Sequence, residues 1–126
     1  MSQEKALRRA SAGTGKTIDF SGIWINQIKS EARIKQVNGV LSGEYESADS
    51  STGGKTIGDL TGYVDGDLVS WVVHWRDFQA ITAWVGQLEP TAPGELKTLW
   101  QMTKQVDAGD EWASINAGAD VFFRKP

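Results

Sequence analysis

The stretch ASAGTGKT, residues 10–17, has the spacing of a loop that binds nucleotide phosphates. Such a loop needs a buried strand before it and a helix after it, because backbone N–H groups and the helix N-terminus then converge on the phosphate. Here the preceding MSQEKALRR is polar and charged, whereas the following IDFSGIWIN is rich in β-branched and aromatic residues and favours a strand. Because this order is reversed, we interpret residues 1–17 as a flexible leader and not as a nucleotide site.

A second set of residues alternates large aromatic with small hydrogen-bonding side chains. In a strand, alternate residues share a face, so Trp71, Val73 and Trp75 lie together and Val72 and His74 lie on the other face. The other rows of this kind are Trp24, Asn26 and Ile28; Tyr45 and Ser47; Ala80, Thr82 and Trp84; Thr98, Trp100 and Met102; and Asp120 with Phe122.

These mixed rows have two interpretations. A buried polar group without a partner costs about 1–3 kcal/mol, so polar groups on an inward face indicate a cavity that holds a ligand with polar atoms. Alternatively, the polar residues face solvent and the tryptophans fill an ordinary core. Periodicity alone leaves both open.

Composition excludes several function classes. The chain of 126 residues has no cysteine and one histidine, which rules out disulfides and leaves little for a metal site. No carboxylate pair or nucleophile motif supports an enzyme. The net charge of −3, with both signs scattered, argues against nucleic acid as a partner. No apolar run has membrane-spanning length, and no intact signal peptide is present.

Short alternating stretches separated by Gly, Asn and Asp clusters predict about eight strands. Asn38-Gly39 is the strongest hairpin-turn dipeptide, and the Asp65–Asp67 stretch is a second tight turn. We therefore predict an all-β fold for residues 18–126, an eight-stranded antiparallel up-and-down β-barrel with room for one small ligand. The predicted strands are GIWINQI, ARIKQV, VLSGEYES, TIGDLTGYV, LVSWVVHW, AITAWVGQLE, ELKTLWQMTK and EWASINAGADVFFRK.

Seven blocks of sequence carry a resemblance to a known family. They extend from Ser21 to Arg124 and keep their order and spacing. The chain resembles the biotin-binding avidins, and the streptavidin-like bacterial members most closely. The blocks are GIWINQ, LSGEYESA, LTGYV, SWVVHW, TAWVGQ, LKTLW and EWASINAGADVF.

The resemblance implies that the barrel binds biotin without catalysis and without a cofactor. It implies that Asn26, Ser30 and Tyr45 donate hydrogen bonds to the ureido oxygen of biotin. Asp120 and Ser47 would each accept a hydrogen bond from a ureido N–H group.

The resemblance also assigns the walls of the site. Thr82 would lie beside the thioether sulfur, and Trp75, Trp84 and Trp100 would surround the ring and valeryl chain. Trp112 matches a tryptophan that a neighbouring subunit lends in tetrameric members, which implies a homo-oligomer, tetramer or dimer. Family members are mostly secreted, so we expect a secreted or periplasmic protein.

Two departures from the family pattern bear on binding and assembly. Ala80 stands where streptavidin has a serine for the carboxylate of biotin, and Ser51 or its neighbours would supply the remaining donor. Loss of one hydrogen bond to a charged group costs about 1.5–3 kcal/mol, so we expect weaker carboxylate binding. The residues Asn116, Ala117 and Ala119 replace larger subunit-contact residues and predict a weaker oligomer. The alternative function is a lipocalin-like barrel that carries another small apolar ligand.

Overall fold

The computed structural model of the chain describes residues 1–13, 15–48, 54–89, 91 and 94–126. Eight antiparallel strands pair in sequence order, and the last pairs back with the first, so the predicted up-and-down β-barrel is confirmed. Within the described ranges, no helix is both long and apolar enough to cross a lipid bilayer. The elements are α1 (Gln3–Arg8), β1 (Gly22–Asn26), β2 (Glu31–Val37), β3 (Val40–Ser47), β4 (Thr56–Asp65), β5 (Leu68–Trp75), β6 (Ala80–Leu88), β7 (Glu95–Lys104), the 3₁₀ turn η1 (Glu111–Ala113) and β8 (Ile115–Arg124).

One end of the barrel is plugged by the segment that leads into β1. The buried rings of Phe20 and Trp24 lie 5.3 Å apart between centroids, and Trp24 Nε1 donates to the Phe20 carbonyl at 3.0 Å. The side chain of Gln36 accepts from Phe20 N at 2.7 Å and donates to the Ile18 carbonyl at 3.0 Å. The apolar core therefore occupies this plugged end and leaves polar residues for the other, open end.

The hairpin between β2 and β3 turns at Asn38 and Gly39. Both residues have positive φ, 52° and 75°, as a type I′ turn requires. An Asn-Gly pair adopts these angles with little strain, so the turn prediction from this dipeptide is confirmed.

Side chains along the strands alternate between the barrel interior and its outer surface. In β5 the residues Trp71, Val73 and Trp75 are buried, whereas Val72 and His74 are exposed. The other predicted inward rows are also buried or half-buried. The exception is Ile28, which lies past the end of β1 and is 59% exposed.

The first strand is shorter than predicted. It ends at Asn26, two residues before Ile28, because the Asn26 side chain stops the ladder. Its Oδ1 accepts from Ile28 N at 3.1 Å and from Ser30 N at 2.9 Å, which is the side-chain-capped turn typical of asparagine.

The last strand begins later than predicted. We expected it to start at Glu111, but β8 starts at Ile115 and is preceded by η1. Its register pairing with β7 stops at Thr103 and Ile115, and one further backbone bond joins Lys104 N to the Ser114 carbonyl at 2.9 Å. The residues of η1 form a tight turn instead, in which Ala113 N donates to the Asp110 carbonyl at 2.8 Å.

The leader contains a short helix. Ser2 caps α1 by accepting from Lys5 N at 3.2 Å, and none of the helical residues is buried. A helix therefore precedes the phosphate-loop-like sequence and a strand follows it, the reverse of the order that phosphate binding needs. The flexibility of the leader stays a prediction.

Candidate ligand-binding site

A cavity of about 230 Å³ lies inside the barrel between the apolar core and the open end. Nine of the eleven predicted site residues line it, together with two that were not predicted. The predicted residues at the cavity are Asn26, Ser30, Tyr45, Ser47, Trp75, Thr82, Trp84, Trp100 and Asp120, and the additional ones are Ile28 and Met102.

Asn26 and Ser30 present hydrogen-bond donors to this cavity. The carbonyl oxygen of Asn26 is occupied by two backbone N–H groups, which turns its amide N–H₂ toward Tyr45, where Nδ2 donates to the hydroxyl at 3.3 Å. The hydroxyl oxygen of Ser30 accepts from Ala48 N at 2.9 Å. Each group thus has its acceptor satisfied by the protein and retains a hydrogen to donate.

Tyr45 is the third donor. Its hydroxyl oxygen accepts from Asn26, and its ring stacks on Trp84 with centroids 4.7 Å apart. Burial, and then the negative charge of Asp120, raises the pKa of the Tyr45 hydroxyl well above its usual range. The phenol therefore keeps its proton and remains a donor.

Asp120 is the acceptor at the cavity. Its side chain is held from two directions, since Oδ1 accepts from Gln27 Nε2 at 2.7 Å and Oδ2 accepts from Trp84 Nε1 at 2.9 Å. Gln27 is itself fixed because its side-chain carbonyl accepts from Val121 N at 3.0 Å. Each carboxylate oxygen still has a lone pair for a further donor.

Thr82 and Trp75 are fixed by one another. Trp75 Nε1 donates to Thr82 Oγ1 at 3.0 Å, which orients the indole as a wall and leaves the hydroxyl hydrogen of Thr82 to donate. Both side chains are buried.

Trp100 lies against β8 at a glycine. Gly118 is its register partner, and a Cβ there would lie 2.5 Å from Trp100 Cζ2. The absence of a side chain at Gly118 therefore makes room for the indole at the cavity.

Trp112 and Ser51 differ from the other predicted residues. Trp112 lies in η1 with its side chain 84% exposed and does not line the cavity of its own chain. Ser51 lies outside the described residues, as do Ser50 and Thr52. Trp71 is fully buried in the core behind Trp84.

Gln27, Met102 and Ile28 belong to the site and were not among the predicted site residues. Met102 is on the inward row of β7, so alternation alone could have suggested it. Ile28 was on the predicted row of Trp24 and Asn26, although it lies in the turn after β1. Gln27 lies in the same turn and was on no predicted row. The contact of Gln27 with Asp120 joins residues 93 positions apart, and no local pattern signals it.

The site combines several neutral donors with one carboxylate acceptor between aromatic walls. This arrangement is complementary to a neutral, largely apolar molecule in which a carbonyl oxygen and N–H groups are close together. The arrangement of these donors, the acceptor and the walls is suited to binding a ligand.

Comparisons with known proteins agree with the fold. The sequence model of the avidin family matches residues 14–125, so the chain belongs to the avidin family. The crystal structure of Xenavidin is similar, with a TM-score of 0.70 and 29% sequence identity over 87% of this chain and 100% of that one. Among curated proteins, none matches this chain significantly.

Proposed function

We propose that the barrel binds biotin in its lumen, with high affinity and without catalysis. Membership of the avidin family supports a binding function of this type. In the proposed complex, Asn26, Ser30 and Tyr45 donate to the ureido oxygen, and Asp120 and Ser47 accept from the ureido N–H groups.

The observation that carries the proposal is that, around the cavity, the protein occupies acceptor atoms and leaves donor hydrogens for a ligand. The acceptor atoms of Asn26, Ser30 and Tyr45 are each occupied by protein donors. In the proposed complex the remaining hydrogens are donated to the ureido oxygen, as in an oxyanion hole. Asp120 favours negative charge on the ureido oxygen and positive charge on the ureido nitrogens, because a carboxylate strengthens a hydrogen bond from a ureido nitrogen.

The remaining walls match the rest of biotin. Thr82 has a hydroxyl hydrogen available for the thioether sulfur, since its oxygen accepts from Trp75. Trp75, Trp84 and Trp100 provide apolar surface for the ring and the valeryl chain. Buried aromatic contacts contribute most of the apolar stabilisation in such a site.

The test is a biotin titration followed by tryptophan fluorescence and calorimetry on the wild type and Asp120→Asn. The asparagine keeps the size but removes the charge, and the lost bond to a charged group, about 1.5–3 kcal/mol, predicts roughly ten- to hundredfold weaker binding. Asp65→Asn, on an exposed residue at the plugged end, is the matched control and should bind as the wild type does. Equal biotin affinity in both variants would contradict the role proposed for Asp120, and absence of biotin binding by the wild type would favour a carrier of another apolar ligand.

We further propose that the chain functions as a homo-oligomer. On the outer surface of β5–β8, three rows of register partners carry no aspartate, glutamate, lysine or arginine, and we call this surface the apolar face. Val85, Leu99 and Ile115 on it are 63%, 68% and 68% exposed. The rows are Ser70, Val85, Leu99 and Ala119; Val72, Ala83, Gln101 and Ala117; and His74, Ile81, Thr103 and Ile115.

An exposed surface that is rich in aliphatic residues and has no acidic or basic pair on it is typical of subunit contacts. The apolar face lies next to η1. This position supports a second role for assembly, in which the exposed Trp112 completes the cavity of a neighbouring subunit. Ala117 and Ala119 lie on the apolar face and bury little area, which favours a weak oligomer. Asn116 does not belong to this surface, because it pairs with the inward-facing Met102 and bonds the side chain of Lys104.

A further inference from the structure

A second pocket lies at the open end of the barrel and continues the inner cavity outward. It has a volume of about 280 Å³, and Ser47, Trp75 and Met102 line both spaces. A flexible tail attached to a group in the inner cavity therefore emerges into this outer pocket.

Lys104 supplies the charge of the outer pocket. It follows Trp100 and Met102 on the inward row of β7, and it faces Ala80 across the β6–β7 ladder. Ala80 is only 9% exposed, so the two residues share the cavity side of the sheet. Lys104 is half-buried, and it is the residue that follows Met102 on this row at the outer pocket.

The ammonium group of Lys104 has no acidic partner among the described residues. Its side-chain hydrogen bond there is to the neutral amide oxygen of Asn116. By contrast, Lys55, Lys97 and Lys125 each lie within 3.3 Å of a glutamate oxygen. A lysine at the wall of a pocket, paired only with an amide, retains two donor hydrogens for a ligand.

We propose that Lys104 determines specificity at the open end by receiving the carboxylate of the ligand tail, and that it selects the free acid over amide-linked forms. The proposal rests on biotin as the ligand of the inner cavity. Ala80 offers no hydroxyl group, so a charge at Lys104 takes over the recognition of the carboxylate. An ammonium group attracts a carboxylate and gains little from an uncharged amide.

The experiment compares the dissociation constants of biotin and of biotinamide, whose tail is neutral, for the wild type and Lys104→Gln. We expect the wild type to prefer the free acid by about tenfold and Lys104→Gln to lose that preference, with its affinity for biotinamide unchanged. The preference of the wild type should shrink as the salt concentration rises, because the outer pocket is open to solvent.

Lys97→Gln is the matched control, since Lys97 lies on the outward face of the same strand and pairs with Glu89. This variant should keep the preference for the free acid. Equal affinities of the wild type for the two compounds, or an unchanged preference in Lys104→Gln, would overturn the proposal. Absence of binding of both compounds to the wild type is a different result, which would refute biotin binding itself and this proposal with it.

Discussion

At the scale of single residues, the site is organised before a ligand arrives. Asn26, Ser30 and Thr82 each accept a hydrogen bond from the protein, and this fixes the direction of the hydrogens that remain. Asp120 is fixed by two N–H donors in the same way. A ligand that matches these directions orders few side chains on binding, which lowers the cost of association.

Tyr45 should make the stability of the protein depend on alkaline pH. Its pKa is raised in the folded state by burial and by the charge of Asp120, so the folded protein retains a proton that the unfolded chain releases. The stabilisation is complete below the ordinary tyrosine pKa of about 10 and is lost as the pH rises toward the folded-state value. Urea unfolding at increasing pH should therefore show a falling free energy of unfolding above about pH 10.

The variant Tyr45→Phe isolates this effect. It should show a shallower fall in the free energy of unfolding over the same alkaline range, because the group with the raised pKa is absent. Tyr63→Phe is the matched control, since Tyr63 is exposed on the outside of β4, and it should retain the wild-type slope. Identical slopes for the two variants would contradict this account of Tyr45.

At the scale of elements, β7 and β8 together position the indole of Trp100 as one wall of the cavity. The indole fits there because its register partner, Gly118, has no side chain. A methyl group at Gly118 would overlap the indole of Trp100, so Gly118→Ala should displace that ring. Aromatic contacts contribute about 0.5–1.5 kcal/mol beyond their buried area, which predicts roughly two- to tenfold weaker biotin binding. A fluorescence titration measures the change.

Gly94→Ala is the control for this substitution. A Cβ at Gly94 meets no atom of the described residues within 4 Å, so the variant should bind biotin with wild-type affinity. Comparable thermal melting of the two variants would show that the weaker binding comes from the moved ring. Wild-type affinity in Gly118→Ala would mean that Trp100 does not form a wall for the ligand.

Much of the element structure follows from local sequence. Alternating apolar residues predict the strands, because one face of each strand must be buried, and Asn38-Gly39 predicts its hairpin because both residues tolerate positive φ. The inward rows then bring eight of the nine predicted residues to one cavity, and Ser30 reaches it from the turn before β2. Local alternation suffices here because a closed barrel gives every strand one inner and one outer face.

The features that were missed depend on contacts between distant parts of the chain. Strand β1 ends where the side chain of Asn26 captures two backbone N–H groups, and β8 begins where its partner β7 ends. The support of Asp120 by Gln27 and the position of Lys104 opposite Ala80 depend on barrel closure and strand register. Neither closure nor register is encoded by the period of a single strand.

At the scale of the whole molecule, charge is distributed unevenly over the outer surface. On β2–β5, Arg33 pairs with Glu46 at 3.5 Å and Arg76 with Asp59 at 2.7 Å, so this side is covered by ion pairs. The apolar face on β5–β8 has none of these charges. Such asymmetry favours a barrel that is solvated on one side and covered by another subunit on the other.

The last prediction concerns Val85 on the apolar face. Val85→Lys places a charge where a second subunit would bury a valine. The loss of about 1.5–3 kcal/mol for one buried aliphatic side chain predicts roughly ten- to hundredfold weaker association. Sedimentation velocity measures this change. If Trp112 completes the neighbouring site, biotin affinity should fall with dissociation. Val40→Lys, at an exposed valine of β3, is the matched control and should leave subunit association and biotin affinity unchanged. A wild type that sediments as a monomer at every concentration would refute the oligomer.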